Sequence, residues 1–511
     1  MSEKLTKDEN SEFEHDWISN TSTDSELIIG LVGPVGTDLQ KVSEIIKERL
    51  LQYNYKSEEI RVSKQIIKEL CNIEESSSPY EVIDSYMTAG NQLRERTGDS
   101  SILALASASK INQLRCERQS ACDDESKPLK RFAFIINSLK LPDEVKRLRN
   151  IYPDGFFLIG VHTDEERRNT YLQKRKGISG KDAKKLIERD EDESVQYGQH
   201  TRDTFQHSDF FINFDGNEDR LCNDIWRIIS LIFGKPFVTP TFDEFAMFMA
   251  FSASLRSADL SRQVGAVLSK NKNIVSTGAN DVPCKGGGLY WPEYDNNGEK
   301  IVDAENGRDY MCKHDSNAIE KNRIIDEIIE QVPEDQKVKL EDYLRNKSSI
   351  KDITEYGRIV HAEMEAILAC SRNKIGTKGT ELYCTTFPCH NCAKHIIAAG
   401  IKRVVYIEPY PKSKAFQFHS DSISTKSNSN NKVVFEPFVG VGPRNFFNLF
   451  SMKFGSGYPL KRKNKDGTVT EWDKKNGRLR MQMLPCSYLE REDLAANLLS
   501  HYLEEIDENS K

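Results

Sequence analysis

The chain has 511 residues, a formal net charge of −7 and 38% hydrophobic residues. This length exceeds what one hydrophobic core usually organises, so two domains are expected. The negative net charge argues against binding of nucleic acid through a broad positively charged surface. The sequence shows neither an apolar run of about 18 residues nor a signal-peptide core, so we expect a cytoplasmic protein without membrane contact and with a small substrate.

The first half of the chain alternates apolar runs with amphipathic stretches. Residues 1–24 are rich in Ser, Thr, Asp, Glu and Lys and predict a disordered arm. Apolar strands separated by helices then favour an α/β domain at 25–235, with a parallel sheet covered on both faces. The predicted strands are ELIIGLVG at 26–33, RFAFIINS at 131–138, GFFLIGV at 155–161 and DFFINFD at 209–215.

The turn after the first strand is built like a phosphate-binding loop. When G-x-x-x-x-G-K-[ST] is aligned on Gly33, Asp38 falls at the second glycine and Leu39 at the lysine. Phosphoryl transfer needs that lysine, so we do not expect a kinase. Backbone amides at a helix N-terminus can still hold phosphate, which favours a regulatory nucleotide site. An inhibitor surface and a purely architectural fold are the alternatives. The predicted site residues are Gly33, Pro34, Val35, Gly36 and Thr37.

The stretch from residue 163 to residue 194 is strongly charged and has a helical pattern. Its simplest interpretation is a solvated pair of helices. The alternative is a lid whose basic side chains close over a phosphate-bearing ligand. The side chains available for this are Arg167, Arg168, Arg175 and Lys176.

The segment KPFVTPTF at 235–242 carries two prolines and predicts the linker between the domains. We place a second α/β domain at 240–450, which opens with an apolar-striped helix and the strands QVGAVLS and IVSTGAN. Residues 293–355 are charged and helical without a strand signal, so they predict an insertion. Residues 451–511 are left as a C-terminal extension.

A metal-binding pattern lies in the second domain. Eleven cysteines are an odd number, and four of them fall between Cys370 and Cys392, which suits metal ligation better than a disulfide framework. His361 and Glu363 open one predicted helix, and Pro388 precedes Cys389 in another. Together with Cys392 they satisfy H-x-E…P-C-x-x-C, the signature of zinc-dependent nucleobase deaminases.

These residue types suit a catalytic Zn²⁺ site. One histidine and two cysteines leave the fourth position of a tetrahedral zinc open, as in catalytic sites. Zinc acidifies a bound water, and Glu363 can carry its proton to the substrate. In a regular helix Cys389 and Cys392 share a face, with Pro388 in the first turn. The alternative, a structural zinc knuckle that uses His390 or His395, leaves the His-x-Glu pair unexplained.

The stretches RSADLSRQVGAVLS, STGANDVP, VHAEMEAIL and TELYCTTFPCHNCAKHIIAAGIKRVVYIEPY resemble the deoxycytidylate deaminase family, within the cytidine deaminase-like fold. The resemblance implies that His361, Cys389 and Cys392 hold zinc and that Glu363 shuttles protons. It also implies that Asn280 contacts the substrate, unless it is an ordinary turn residue. The implied wall behind the base comprises Val264, Gly265 and Ala266. Candidates for a second zinc are Cys284, Cys312 and His314, although three free side chains are favoured.

A narrower resemblance spans roughly 26–450. The stretches GLVGPVGTDL, SLKLPDEVKRLRNIYPDGFFLIGVH, SKAFQFHSDSIS and FEPFVGVGPRNFFNLF are similar to bacterial antiphage deoxycytidylate deaminases with a P-loop kinase-like domain. This implies deamination of dCTP and dCMP, which starves phage replication of cytosine deoxynucleotides, and a homo-oligomer. Control by a small RNA is implied by the resemblance alone. The alternatives are a single-stranded polynucleotide cytosine deaminase and a regulatory module with a vestigial zinc site.

Overall fold

The computed structural model describes residues 24–73, 76–119, 128–191, 193, 198–409, 413–425, 431–455, 457–483 and 485–509. The arm predicted at 1–24 lies outside these ranges, apart from its last residue. Within the described ranges, no helix is long and apolar enough to cross a bilayer.

The regular elements alternate along the chain. The strands are β1 Leu27–Val32, β2 Lys56–Arg61, β3 Phe132–Asn137, β4 Phe156–His162, β5 Phe210–Asn213, β6 Gly265–Lys270, β7 Asn273–Ala279, β8 Glu293–Tyr294, β9 Ile301–Val302, β10 Glu381–Thr386, β11 Arg403–Glu408, β12 Ile423–Ser424, β13 Val433–Pro437 and β14 Gly440–Val441. The helices are α1 Leu39–Leu51, α2 Lys68–Cys71, α3 Pro79–Thr97, α4 Ile102–Gln119, α5 Pro142–Ile151, α6 Glu165–Lys176, α7 Gly180–Glu191, α8 Thr201–Phe205, α9 Glu218–Ile232, α10 Phe242–Ser254, α11 Asp309–Cys312, α12 Ser316–Glu330, α13 Glu334–Asp342, α14 Ala362–Arg372, α15 His390–Ala398, α16 Ala415–Phe418, α17 Pro443–Phe450 and α18 Pro485–Asn509. π-helical turns lie at Val62–Ile67 and Tyr343–Lys347, and 3-10 turns at Ser349–Asp352 and Lys474–Asn476.

The chain divides into two compact units. The first comprises Met1–Thr241 together with Val439–Lys511, and the second comprises Phe242–Phe438. The second unit therefore ends twelve residues before the boundary expected at 450, and residues 451–511 are part of the first unit rather than a separate extension. The reason is pairing across the sequence, because β14 adds to β5 of the first sheet, where Gly440 faces Phe211.

The first unit is built on a six-stranded sheet in the order β14-β5-β4-β1-β3-β2. Strands β1 to β5 are parallel, and β14 runs antiparallel at one edge. All residues of β1 are buried, as expected for a central strand covered on both faces. The sequence analysis does not predict β2, because its residues KSEEIR are mostly charged and only Ile60 is buried on this edge.

The C-terminal segment completes the core of the first unit. Helix α18 packs on α4, and its residues Tyr488, Ala495 and Leu499 belong to the same buried cluster as β3. Beneath this helix Arg115 binds two carboxylates, Glu26 and Glu492, and all three side chains are fully buried. A charge buried with its partners in this way is costly to leave unpaired, so the segment is part of the folded unit.

The second unit holds a mixed sheet in the order β12-β13-β11-β10-β6-β7. Strands β10, β11, β13 and β12 are parallel, whereas β6 pairs antiparallel with both β10 and β7. The insertion expected to lack strands does contain the short antiparallel pair β8 and β9. Each has only two exposed residues, which leaves no alternating pattern for the sequence to reveal.

Candidate functional site

Helix α14 positions His361 and Glu363 against the mixed sheet. His361 is its N-cap, in extended backbone geometry, and Glu363 lies in the first turn. The helix comes close to β7 because Gly278 has no side chain. A Cβ there would overlap the carbonyl oxygen of Ala362 and lie 2.5 Å from the nitrogen of Ala366. The helix start can therefore present both residues to one side, as the sequence predicts.

The two cysteines come from the turn after β10. Cys389 is the N-cap of α15, and its sulfur accepts a hydrogen bond from the backbone N–H of Cys392 at 3.4 Å. The expectation that Pro388 occupies the first helical turn and that both cysteines share a helical face is wrong in detail. The helix begins one residue after Cys389, so the cap geometry rather than the helical period brings the sulfurs together.

His361, Cys389 and Cys392 form a cluster in which the ligand atoms all lie within 4.8 Å of one another. The Nδ1 atom of His361 is 3.4 Å from the sulfur of Cys389 and 3.3 Å from that of Cys392. Tetrahedral zinc, with bonds of about 2.0–2.3 Å, separates nitrogen and sulfur ligands by roughly 3.5 Å. The three side chains therefore fit one zinc ion without rearrangement.

The electrostatics of the cluster favour a cation. A hydrogen bond with Cys392 and the nearby His361 lower the pKa of the Cys389 thiol to about 4. The hydrogen bond with Cys389 raises the pKa of His361 to about 9. Zinc binds histidine as neutral imidazole and cysteine as thiolate, so a bound ion would displace the protons that His361 and Cys392 carry.

Glu363 is 4% exposed and lies beside the cluster. Burial raises the pKa of this carboxyl, while the charge of His361 and a hydrogen bond from Cys392 oppose the effect. A carboxylate shielded from water next to a metal-binding cluster is suited to proton transfer.

Asn280 lies just after β7 and is 5% exposed. Its side-chain oxygen accepts from the N–H of Val264 at 2.6 Å. Its amide nitrogen donates to Asp259 and to the carbonyl of Arg262, both at 2.8 Å. The amide therefore fixes the loop that precedes β6, and a substrate contact by Asn280 stays a prediction.

The three residues predicted to form the wall behind the base have different surroundings. Val264 is half-buried, whereas Gly265 and Ala266 are buried at the start of β6. A Cβ on Gly265 would overlap the carbonyl of Ala250 in α10, so this glycine permits close packing. Ala266 belongs to the same buried cluster as Cys392.

Asp259 is a residue that the sequence analysis does not single out. It orients Asn280 and contributes to the raised pKa of His361, so it lies close to the metal cluster. The quoted stretch RSADLSRQVGAVLS contains it. Asp259 is the only acidic residue between Phe245 and Asn280 in the sequence, but a single aspartate forms no motif, so only the folded contact reveals its place.

The residues considered for a second zinc do not assemble. In the part of the chain that the structure describes, the only cluster of metal-binding side chains is the one at His361. Cys284 contacts the carbonyl of Gly287 at 3.3 Å, and Cys312 lies 3.2 Å from Arg358. His314 contacts the carbonyl of Cys312 at 2.8 Å. His390 and His395 also stand outside the cluster.

The predicted nucleotide site lines a cavity of about 290 Å³ in the first unit. The residues that line it include Gly33, Pro34, Val35, Gly36 and Thr37. Gly36 has φ +87°, and a Cβ there would lie 2.8 Å from the backbone of α6, so the loop packs directly on that helix. Of the basic residues proposed for a lid, Lys176 lines the cavity, while Arg168 is buried and paired with Glu191 at 2.7 Å.

Comparisons with known proteins find relatives of the second unit. A family model described as the cytidine and deoxycytidylate deaminase zinc-binding region matches residues 240–408. The deoxycytidylate deaminase of Enterobacteria phage T4 is 33% identical over 166 residues, which is 32% of this chain and 77% of that protein. ComE operon protein 2 of Bacillus subtilis is 55% identical over 53 residues, 10% of this chain and 28% of its own. The dCMP deaminase of cyanophage S-TIM5, solved with dCMP and dUMP, covers 39% of this chain and 99% of its own, at 20% identity and a TM-score of 0.23.

A cluster of one histidine and two cysteines at the starts of two helices, beside a buried glutamate, is typical of zinc-dependent nucleobase deaminases. With its match to the phage T4 enzyme over most of that enzyme's length, the chain belongs to the cytidine and deoxycytidylate deaminase family.

Proposed function

We propose that the second unit removes the exocyclic amine of deoxycytidine nucleotides, converting dCMP and dCTP to dUMP and dUTP with release of ammonia. The observation that carries this proposal is the cluster of His361, Cys389 and Cys392 beside buried Glu363. Family membership supports the choice of dCMP, since the relatives are named deoxycytidylate deaminases.

The residues have separate roles in the proposed reaction. His361, Cys389 and Cys392 would hold Zn²⁺, which supplies a bound water with a pKa near 7. Glu363 would accept the proton of that water and return it to the substrate. Asn280 would contact the nucleotide through the oxygen lone pair that Val264 leaves free, while its N–H groups keep the loop in place.

We further propose that the first unit is a P-loop kinase-like domain without phosphotransfer activity, which binds a regulatory nucleotide. Two observations support this: the parallel order β2-β3-β1-β4-β5, and a loop that runs from central β1 into α1. Leu39 stands where phosphotransfer would require lysine. Depletion of cytosine deoxynucleotides during phage infection, a homo-oligomer and control by a small RNA are part of the proposal through the family resemblance alone.

The test uses the purified full chain loaded with zinc. Ammonia release is measured with dCMP, dCTP, CMP and single-stranded DNA in turn, with and without dTTP. We expect dCMP and dCTP to react and the other two to react poorly. Activity only on the DNA strand would overturn the proposal, and equal rates on CMP would remove its restriction to deoxynucleotides.

The role of Glu363 is tested by Glu363→Gln, which keeps the shape of the side chain. We expect kcat to fall by about 10²–10⁴-fold while the zinc content stays at one ion per chain. The matched control is Glu365→Gln, two residues further along the same helix, where the carboxylate pairs with Arg372 instead. Survival of phage protection in cells carrying Glu363→Gln would show that deamination is not the function.

A further inference from the structure

We propose that Asp190 is an internal substitute for phosphate in the first unit, and that a nucleoside monophosphate displaces it when it binds in the cavity. This inference rests on the proposed regulatory role of that unit and names its ligand class and its moving part. It begins from a contact between residues that are 155 positions apart, in which the N–H of Val35 donates to Asp190 at 2.7 Å.

Asp190 occupies the place where a phosphate-binding loop receives an anion. Its side chain is fully buried, and its second oxygen accepts from Lys140 at 2.6 Å. Lys140 also donates to the carbonyl of Gly33 at 3.1 Å, so one cation joins the carboxylate to the loop. Because Asp190 lies in the last turn of α7, the helix dipole opposes its charge, and the loop and the lysine must compensate.

The cavity beside this contact is lined by both polar and apolar residues. The polar lining includes the loop, Lys140 and Arg94, which is 1% exposed and pairs with Glu144 at 2.8 Å. Within the described residues, the Nε atom of Arg94 and the hydroxyl of Thr37 are buried without a hydrogen-bond partner. Buried polar atoms of this kind are rare, and an anionic ligand would satisfy both. The apolar lining comprises Ile67, Ile83, Tyr86, Met87 and Leu103.

These features fit a nucleoside monophosphate better than a magnesium triphosphate. The polar lining residues suit a phosphate, and the apolar ones, with the aromatic ring of Tyr86, suit a flat base. The volume of about 290 Å³ lies near the lower bound for ligand sites. A triphosphate would need the loop lysine and an acidic residue for magnesium, but Leu39, Asn137 and Ser138 stand at those positions.

Displacement of Asp190 would move the end of α7. The residues on either side are also tied down, since Arg189 binds Asp84 at 2.6 Å and Glu191 binds both Arg168 and Arg202 at 2.7 Å. Ion pairs at three consecutive residues therefore hold this segment in place. A phosphate bound at the loop would pair with Lys140 in place of Asp190. Binding in the cavity is thereby coupled to the position of the segment Arg189–Glu191.

Hydrogen–deuterium exchange on the full chain tests this at the level of the segment. The probes are inorganic phosphate, AMP and dTMP, each compared with chloride at equal ionic strength. We expect slower exchange at residues 34–37 together with faster exchange at 188–191, and tighter binding of at least one nucleotide than of inorganic phosphate. Protection of the loop without faster exchange at 188–191 would overturn the proposal, as would inorganic phosphate binding as tightly as both nucleotides.

The variant Asp190→Asn keeps the shape of the side chain and removes the competing charge. We expect half-saturation at about tenfold lower AMP or dTMP concentration than in the wild type. The control is Asp182→Asn, which removes the same charge from a partly exposed position in the first turn of α7. Equal affinities of the two variants would overturn the proposal. Ammonia release is measured in the same samples as a separate readout. If Asp190 is displaced but no ammonia is released, only the proposed deamination is refuted.

Discussion

A single methyl group at Gly278 is expected to lower kcat/KM for dCMP about 100-fold. In Gly278→Ala the new Cβ would lie 2.5 Å from the nitrogen of Ala366 and overlap the carbonyl of Ala362. An ordinary contact needs about 3.5 Å, so the start of α14 must retreat from β7 by roughly 1 Å. That start carries His361 and Glu363, and a misplacement of about 1 Å at reacting groups costs on the order of 100-fold.

The assay compares Gly278→Ala with Gly376→Ala, in which the added Cβ meets nothing within 4 Å. Initial rates of ammonia release from dCMP give kcat/KM, metal analysis gives the zinc content, and circular dichroism verifies folding. We expect the control to match the wild type. If Gly278→Ala folds, retains its zinc and keeps more than half of the wild-type rate, the close approach of α14 to β7 does not position the site.

Two further predictions concern a loop near the site and the stability of the first unit. Asn280→Ala should raise KM for dCMP and leave the zinc content unchanged, because it frees the loop before β6 and leaves the N–H of Val264 without its acceptor. Steady-state kinetics and metal analysis measure both quantities. The control is Asn273→Ala, at an exposed position at the start of β7, and loss of zinc with a normal KM in Asn280→Ala would contradict the prediction. Burial lowers the pKa of His162 from 6.5 to about 4. The unfolded chain then binds more protons between these values, so the free energy of unfolding should fall by about 2 kcal/mol from pH 7 to pH 5. Urea unfolding at both pH values measures this, and His162→Gln should have a smaller fall; an equal fall in both proteins would show that another group is responsible.

The sequence predicts those parts of the fold in which a local pattern determines the structure. Continuous apolar runs correctly indicate β1, β3, β4 and β5, because central parallel strands are buried on both faces. The spacing of His361 and Glu363 correctly indicates a helix start. The charged edge strand β2 has no such pattern, and its place in the sheet depends on its neighbour β3.

Contacts between distant residues are the part that the sequence does not reveal. Nothing near Asp190 marks it as the partner of Val35, and nothing in Gly440 and Val441 marks them as an edge strand for β5. The approach of His361, Cys389 and Cys392 to one another is predictable from their spacing. The position of Cys389 as a helix cap is not, because a period of 3.6 residues applies only within the helix.

The return of residues 439–509 to the first unit has a consequence for biosynthesis. A ribosome delivers every residue of the second unit before it delivers β14, α17 and α18, which the first unit needs. Glu492 lies 377 positions after Arg115, so at about 5–20 residues per second it follows Arg115 from the ribosome by roughly 19–75 s. During that interval Arg115 lacks Glu492, and the surface of α4 that α18 covers stays open. The first unit therefore stays incomplete during synthesis, whereas the second unit, whose sequence lies between the two segments of the first, can already fold.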